Sequence, residues 1–521
     1  MPKSHSKKYP WFKLKGYPHI GLPIESRHAD EIAEYVQEDE KIKSHAFKPF
    51  IYKEIKSRKY RRALDDEGNR LDKRKFGGTK SREIYYSSHF DAQVYSYYAH
   101  KLSSLYEKRL AIDGISDCVT AYRSIPTDDN PEINKCSIHF AKEAFDLIRA
   151  FDSDDFRVLV IDIESFFDTL DHKKLKQKWS RLIDPHSVSL PPDHYNIFKS
   201  LTNISYINEN QIFNEFKDEI WVRKHNGGYR QKRISRKKFL FNNEAVAFCK
   251  NQDFQERVLE KGLVKKFTVI DNDKPIEKPK VAGIPQGTPI SAVLANVYMV
   301  EFDKVIHEWL SARGGVYRRY SDDMLFICRK EDEKSLLKKL KRELKNEELN
   351  FQDKKTQKVR FYRAQKGLQC EVKSNESGKW NQNKNLTYLG FDFDGKRVLL
   401  KSQSLAKYYR KMKLNVRRGA YYAIQSRKEE DYIYKRPLYK KFSVLGAGRK
   451  RIYVRDKKNP KKWVKTERYD WGNYLSYVYL AAHILGEPAI KKQVRRHQRV
   501  LKNYIDKHQA RVDMAKSLDT K

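Results

Sequence analysis

Hydrophobic and polar positions along this chain fall into blocks of different period. From Ala29 to about Leu110 the spacing predicts mostly helix, interrupted by the polar, glycine-containing stretch "DDEGNRLDKRKFGGTKSR". A second helical run, "SIHFAKEAFDLIRAF", leads into "RVLVIDI" (Arg157 to Ile163), whose unbroken β-branched and apolar character predicts a central, buried strand. "ESFFDTLDHKKLKQKW" then reads as a turn entering a helix, with Asp171 placed to cap it. From about Pro191 to Lys280 the pattern is less regular, and "NGGYRQKRISRKKF" is a basic loop or hairpin. "VAGIPQGTPISAVLANVYMVEFDKVIHEWL" begins as a Gly/Pro loop and becomes a long helix. After it come the hairpin "VYRRYSDDMLFICRK", a charged helix "EDEKSLLKKLKRELKNEEL", and two short strands in "LTYLGFDFDG" and "KRVLLKS". Beyond about Gln403 the chain is very basic, rich in tyrosine and mostly helical, and no internal repeat is visible. This order of elements predicts an α+β fold, a sheet with helices against one face, followed by a helical C-terminal domain.

Composition changes the picture chiefly through charge. The 521 residues include 108 Lys+Arg against 68 Asp+Glu, a formal net charge of +40, and 39% hydrophobic residues. That is enough apolar side chain for real cores and argues against wholesale disorder. At about 150 residues per domain, the length suits two to four domains. The cationic excess favours polyanionic partners, and 33 Tyr and 26 Phe among the cations suit single-stranded nucleic acid. Five scattered cysteines form no CxxC pair or zinc-spaced Cys/His cluster. With a basic N-terminus that lacks an apolar core and no apolar run of about 18 residues, they predict a soluble, cytoplasmic protein without a membrane span.

The chemistry concentrates in carboxylates. Asp162 ends the predicted central strand, where an isolated buried carboxylate is costly unless paired or bound to metal. Asp322 and Asp323 sit side by side at a hairpin tip. A polar turn would account for those two alone, but two segments bringing three carboxylates together would suit hard divalent cations, which take oxygen ligands.

Five motifs in one order, "VIDIESFFDTLDH", "GIPQGTPIS", "YSDD", "DKKT" and "YLGF", resemble the successive palm motifs of reverse transcriptases. The match is nearest to the bacterial type found in group II introns, retrons and defence-associated enzymes, and it runs from about Lys80 to Gly395. The resemblance implies a right-hand polymerase. Residues 1–150 would be an N-terminal arm and fingers. Residues 151–400 would be a palm with an antiparallel sheet, a YxDD hairpin and an insertion near 191–280. Residues 401–521 would be a helical thumb and RNA-binding region.

It also implies site roles. Asp162, Asp322 and Asp323 match the catalytic and metal-binding aspartates, with the Ile163 carbonyl as an additional ligand. They would bind two Mg2+ ions, or Mn2+ in their place, that activate a 3′-hydroxyl and stabilise leaving pyrophosphate. Lys355 matches the lysine that protonates or neutralises pyrophosphate. Phe167 matches the bulky residue that excludes a ribose 2′-hydroxyl, and Gln286 the glutamine beside the incoming nucleotide. Arg82, Lys80 and, at a more variable position, Arg123 match the cations that hold the triphosphate. "TYLGFDF", around Tyr388 to Phe391, resembles the primer-grip hairpin. Ser321 departs from the alanine usual at that position.

The implied function is an RNA-directed DNA polymerase, a nucleotidyltransferase. Its partners would be dNTPs, a dedicated non-coding RNA template and a DNA product, its role antiviral (phage) defence, and homo-oligomerisation is possible. Two alternatives stay open: an RNA-binding maturase or scaffold that does not polymerise, and untemplated or protein-primed synthesis from a tyrosine hydroxyl. The joint presence of Asp162, Asp322, Asp323 and Gln286 favours polymerisation over the scaffold.

Overall fold

A computed structural model describes residues 8–65, 70–224, 227–271, 274–277, 281–352, 355–375, 377–425, 432–448, 450–455, 459, 462–470 and 472–519. Asp353 and Lys354 of "DKKT", and the start of the N-terminal arm, lie outside the described residues. The fold is α+β.

Two long strands, β1 (Phe50–Leu64) and β2 (Arg70–Tyr86), pair as an antiparallel hairpin where the hydrophobic spacing predicts mostly helix. The correction has a local cause: "FIYKEI" and "REIYY" are β-branched and aromatic, types that favour a pleated, half-buried surface. Among the described residues of this region, α-helix is confined to Ala29–Gln37, Asp39–Lys43 and α1 (His89–Ile112). The Ser88 hydroxyl caps α1 by accepting from the Asp91 N–H at 3.1 Å.

After α2 (Ser137–Ala150) comes β3 (Asp155–Asp162), buried at every position from Phe156 to Ile161. The next helix, His172–Ile183, is capped as expected: the Asp171 carboxylate accepts from the Lys174 N–H at 2.8 Å. Among the short strands that follow are β4 (Ser205–Asn208), β5 (Ile220–Arg223), β6 (Tyr229–Lys232), β7 (Ala245–Cys249) and β8 (Val264–Lys266). β4 pairs in parallel with the start of β1, and β8 pairs with β4, so part of the 191–280 segment widens the β1–β2 sheet. Another part forms a small sheet ordered His19–Ile20, β7, β5, β6 over a core of Ile212, Phe216, Val222 and Phe248, and Thr268–Asp271 pairs with Lys274–Glu277 as a separate two-stranded sheet.

The long helix α3 (Ser291–Ser311) leads to β9 (Val316–Tyr320) and β10 (Asp323–Arg329), then to β11 (Gln357–Ala364) and β12 (Gly367–Lys373). These build the central antiparallel sheet, ordered β9-β10-β3-β11-β12 with Trp380–Asn381 at its edge. Side chains alternate across it. Leu159, Ile161, Met324 and Phe326 belong to a core that includes α1 and α3, while Val158, Val160, Leu325 and Val359 face a second core. Both faces are therefore covered, a correction to helices against one face. The unbroken apolar run of β3 is what a strand buried on both sides requires.

The second core holds α2, the three-stranded sheet β13 (Leu386–Tyr388), β14 (Phe391–Phe393) and β15 (Val398–Leu400), and the helices α4 (Ser402–Ile424) and α5 (His497–Asp519). Met412 and Val416 of α4 pack there with Leu501 and Ile505 of α5. Besides its helices this C-terminal block carries a hairpin, Lys450–Arg455 with Trp463–Asp470. Among the described residues no helix is long and apolar enough to cross a membrane, and all five cysteines are free.

Candidate active site

Asp162 closes β3 and Asp323 opens β10, and the two are direct cross-strand partners. The Ile163 N–H donates to the Asp322 carbonyl at 3.1 Å, which makes Asp162 and Asp323 a non-hydrogen-bonded pair, the closer kind of antiparallel neighbour. Alternation directs both carboxylates to the face of Val160 and Leu325, where a cleft of about 1520 Å³ opens between the β1–β2 hairpin, the central sheet and α4. Asp322 sits in the two-residue turn between Tyr320 and Asp323. Like charges placed opposite one another repel. Burial, then Asp322 and Asp162, push the Asp323 carboxyl up from the usual 3.8 to about 6, and Lys401 and Lys355 only partly oppose this.

A buried network holds the turn. Ser321 has φ 62°, a left-handed conformation uncommon for a residue with a Cβ. Its hydroxyl lies 3.0 Å from the Tyr122 hydroxyl, and its carbonyl accepts from Arg319 at 3.3 Å. Arg319 has no solvent exposure. It makes a bidentate pair with Asp303 of α3 at 2.8 and 2.5 Å and donates to Asn296 at 3.1 Å. Tyr317 donates to the same Asp303 at 2.7 Å.

Lys355 Nζ donates to Asp162 Oδ1 at 3.0 Å, so the lysine read from "DKKT" already neutralises one carboxylate. Gln357, two residues on, donates its amide N–H to the Thr387 carbonyl at 2.8 Å and accepts from the Thr387 N–H at 3.0 Å. That fixes β13 and β14 against the central sheet. Their connecting turn, Leu389 (φ 43°) and Gly390 (φ 93°), lines the cleft.

The Gly/Pro loop joins the remaining candidates. The Gly283 and Ile284 N–H groups donate to the Leu170 and Phe167 carbonyls at 2.8 and 2.9 Å, which docks the half-buried Phe167 turn on this loop. On the other side the Tyr85 N–H donates to the Gln286 carbonyl at 2.8 Å. Gly287 (φ 121°) lies so close to β2 that a Cβ would meet the Tyr85 carbonyl oxygen at 2.7 Å and the Ile84 side chain at 3.1 Å. Strand alternation then sets Lys80 and Arg82, both exposed, on the same face of β2 as Ile84, the face that meets the Gln286 loop. Lys80 is the cross-strand partner of Ser57, which lines the cleft.

Arg123 stands apart. Its guanidinium is nearly buried and fully engaged, pairing with Glu107 at 2.8 and 2.5 Å and donating to the Ser116 and Val119 carbonyls at 2.5 and 2.6 Å. It braces the 116–123 loop. Sequence reasoning also passes over Lys401, Arg319 and Gln357. The arginine pair before "YSDD" is a signal for Arg319, because alternation turns one of two neighbours inward. For Lys401, one lysine among many, there is no signal.

The donor set, three carboxylates and a carbonyl, has the hard-oxygen chemistry of a divalent-cation site, and the raised Asp323 carboxyl registers the charge such a cation would offset. Among the described residues no group of three or more His, Cys, Asp and Glu is already gathered at ligating spacing, and Lys355 holds one Asp162 oxygen. The opposite wall is cationic, with Arg58, Lys401, Lys407, Arg410 and Lys413 lining the cleft.

Residues 239–393 match the family model for reverse transcriptase (RNA-dependent DNA polymerase), so this segment is similar to the domains of that family. The matched segment includes Gln286, Asp322, Asp323 and Lys355. Asp162 lies outside it and joins them by pairing with Asp323. No curated protein matches the chain. Among solved structures it is similar to apo telomerase from Candida tropicalis truncated from the C-terminal domain, at 11% identity and TM-score 0.35, over 73% of this chain and 61% of that one. It is also similar to telomerase from Candida albicans in complex with a TWJ fragment of telomeric RNA, at 12% identity and TM-score 0.31, over 78% and 58%. The chain thus covers less than two thirds of either structure.

Proposed function

We propose that this chain, with a reverse-transcriptase domain at its centre, is an RNA-directed DNA polymerase that extends a 3′-hydroxyl with dNTPs. The observation that carries the reading is the cross-strand pair Asp162–Asp323, with Asp322 beside it, at the floor of a cleft walled by cations. Asp162, Asp322, Asp323 and the Ile163 carbonyl would hold two Mg2+ ions, or Mn2+ in their place. When bound, these lower the pKa of the attacking hydroxyl and take up charge on the leaving pyrophosphate. Lys355 meets the pyrophosphate as a charge-neutralising donor. Lys80 and Arg82 bind the triphosphate from the face of β2 that meets the Gln286 loop, and Gln286 lines the nucleotide's seat. Phe167 selects deoxyribose by bulk.

In this reading α4 and α5 form the thumb, and the template is a dedicated non-coding RNA. The enzyme is of the bacterial group II intron and retron-like type, works in the cytoplasm and serves defence against phage. The test is labelled-nucleotide incorporation by the full chain purified with its co-expressed RNA, in Mg2+, with dNTPs or NTPs, beside Asp322→Ala/Asp323→Ala. DNA synthesis lost in the variant is the expected result, and sequencing the product identifies template and primer. Equal silence of both proteins, with RNA still bound, would sink polymerisation and favour a scaffold. Absence of protection across a broad phage panel would sink the defence role alone.

A further inference from the structure

The basic stretch that no part of the cleft uses has a definite place in the fold. Between Lys217 and Lys250 the sequence carries ten Lys and Arg against three Asp and Glu. This segment builds β5, β6 and β7 of the small sheet, and none of its described residues lines the cleft. β6 is the edge strand, and Arg230, Gln231 and Lys232 on it are all exposed. The turn at 239–244 is fastened beside the β5–β6 hairpin, because the Arg223 N–H donates to the Glu244 carbonyl at 3.1 Å and Lys232 to the Asn243 side chain at 2.7 Å.

Cations on an edge strand commonly serve to block sheet-to-sheet association. That accounts for Arg230 and Lys232 but not for what stands next to them. Phe241 is 91% exposed and Phe239 37% exposed, an unfavourable setting for phenyl rings unless something covers them. Cations sit among the rings: Lys238 Nζ lies 5.0 Å from the Phe239 centroid, and the Arg223 guanidinium 5.6 Å from that of Tyr229. Arg230, Arg236 and Lys238 have no carboxylate partner among the described residues, whereas neighbouring Arg233 and Lys237 are paired with Asp218 and Glu209. Unpaired cations alternating with uncovered aromatic faces are the surface chemistry that holds phosphates and stacks unpaired bases. A duplex offers its phosphates but keeps its bases stacked within, so the exposed rings favour a single strand.

We propose that strands β5 and β6 and the 233–244 segment form a second binding site, for single-stranded nucleic acid, outside the catalytic cleft. The sugar–phosphate backbone lies along Arg230, Arg236 and Lys238, and a base stacks on Phe241.

The experiment uses the full chain and fluorescence anisotropy with labelled polyuridylate, polythymidylate and an RNA duplex over a salt series. The variants are Arg230→Gln/Arg236→Gln/Lys238→Gln and, separately, Phe241→Ala. Lys334→Gln/Lys338→Gln/Lys345→Gln, on the exposed face of the 333–346 helix, removes equal charge elsewhere. Loss of three single-strand phosphate contacts should lower the slope of log K against log salt by about 2. Phe241→Ala should weaken single-strand binding about tenfold. The charge-matched control should stay within about twofold of wild type at fixed salt. Preference for polyuridylate or for polythymidylate names the strand as RNA or DNA, and either supports the site. The site is overturned if the patch triple variant behaves as the control does, if Phe241→Ala has no effect, or if the duplex loses as much affinity as the single strands. Both patch variants should still incorporate nucleotides on a short primer–template. Failure here is thus separate from failure of the polymerase reading, which Asp322→Ala/Asp323→Ala tests.

Discussion

Asp323 faces Asp162 directly across two antiparallel strands, and burial together with its two acidic neighbours raises its carboxyl to about 6. A carboxyl harder to ionise in the folded chain than in the unfolded one costs nothing while protonated. The cost grows as pH rises from about 3.8 to about 6 and is constant above, on the order of 2–3 kcal/mol. In chelator at pH 7.5, Asp323→Asn should therefore raise the melting temperature, and the gain should vanish near pH 4. Mg2+ should stabilise the wild type and leave the variant nearly unmoved. Thermal melts across pH, with and without the cation, check this, and a pH-independent gain would reject it.

Lys355 is bound to Asp162 at 3.0 Å. If it serves as proton donor and charge neutraliser, Lys355→Gln should lower kcat about 100-fold with little change in KM for dNTP. Single-turnover incorporation separates this from weakened nucleotide binding, which would appear as a raised KM instead.

Arg319 and Asp303 form a fully buried pair behind the Ser321–Asp322 turn. Removing one partner strands a charge, so Arg319→Met should destabilise the chain by about 3–5 kcal/mol. Arg319→Met/Asp303→Leu should recover most of that stability. Its incorporation rate should stay low, because the Ser321 carbonyl has lost its donor. Denaturant melts beside incorporation assays distinguish the two effects.

Gly287 cannot accept a side chain without moving β2, since a Cβ would meet the Tyr85 carbonyl oxygen at 2.7 Å. Gly287→Ala should raise the KM for dNTP about tenfold by shifting β2, and with it Lys80 and Arg82, away from the Gln286 loop. Phe167→Ala, by contrast, should leave dNTP use nearly intact and admit NTPs, relaxing sugar discrimination at least tenfold. Competition between dNTP and NTP in one reaction reads both variants.

The central strand and its partners are legible in the sequence because their signals are local. "RVLVIDI" has the unbroken apolar pattern of a strand buried on both faces, and a two-residue polar turn between apolar runs makes a hairpin. The order of the palm motifs carries the rest. The β1–β2 hairpin is harder to read: its distal half is charged, its apolar alternation is confined to "FIYKEI" and "REIYY", and it is anchored by β4, more than 100 residues later. Arg123 and Arg82 are equally cationic in sequence. Only the tertiary structure gives the first a carboxylate and two carbonyls and leaves the second exposed.

The reciprocal hydrogen bonds between the Gln357 amide and the Thr387 backbone have a mechanical consequence. They tie the carboxylate floor to the turn at Leu389 and Gly390. In the proposed polymerase, the groups that perform the addition and those beside the growing end would then move as one plate. Translocation would not be a palm motion: the nucleic acid would advance over a stationary anvil, and its own rise per residue would set the length of each step.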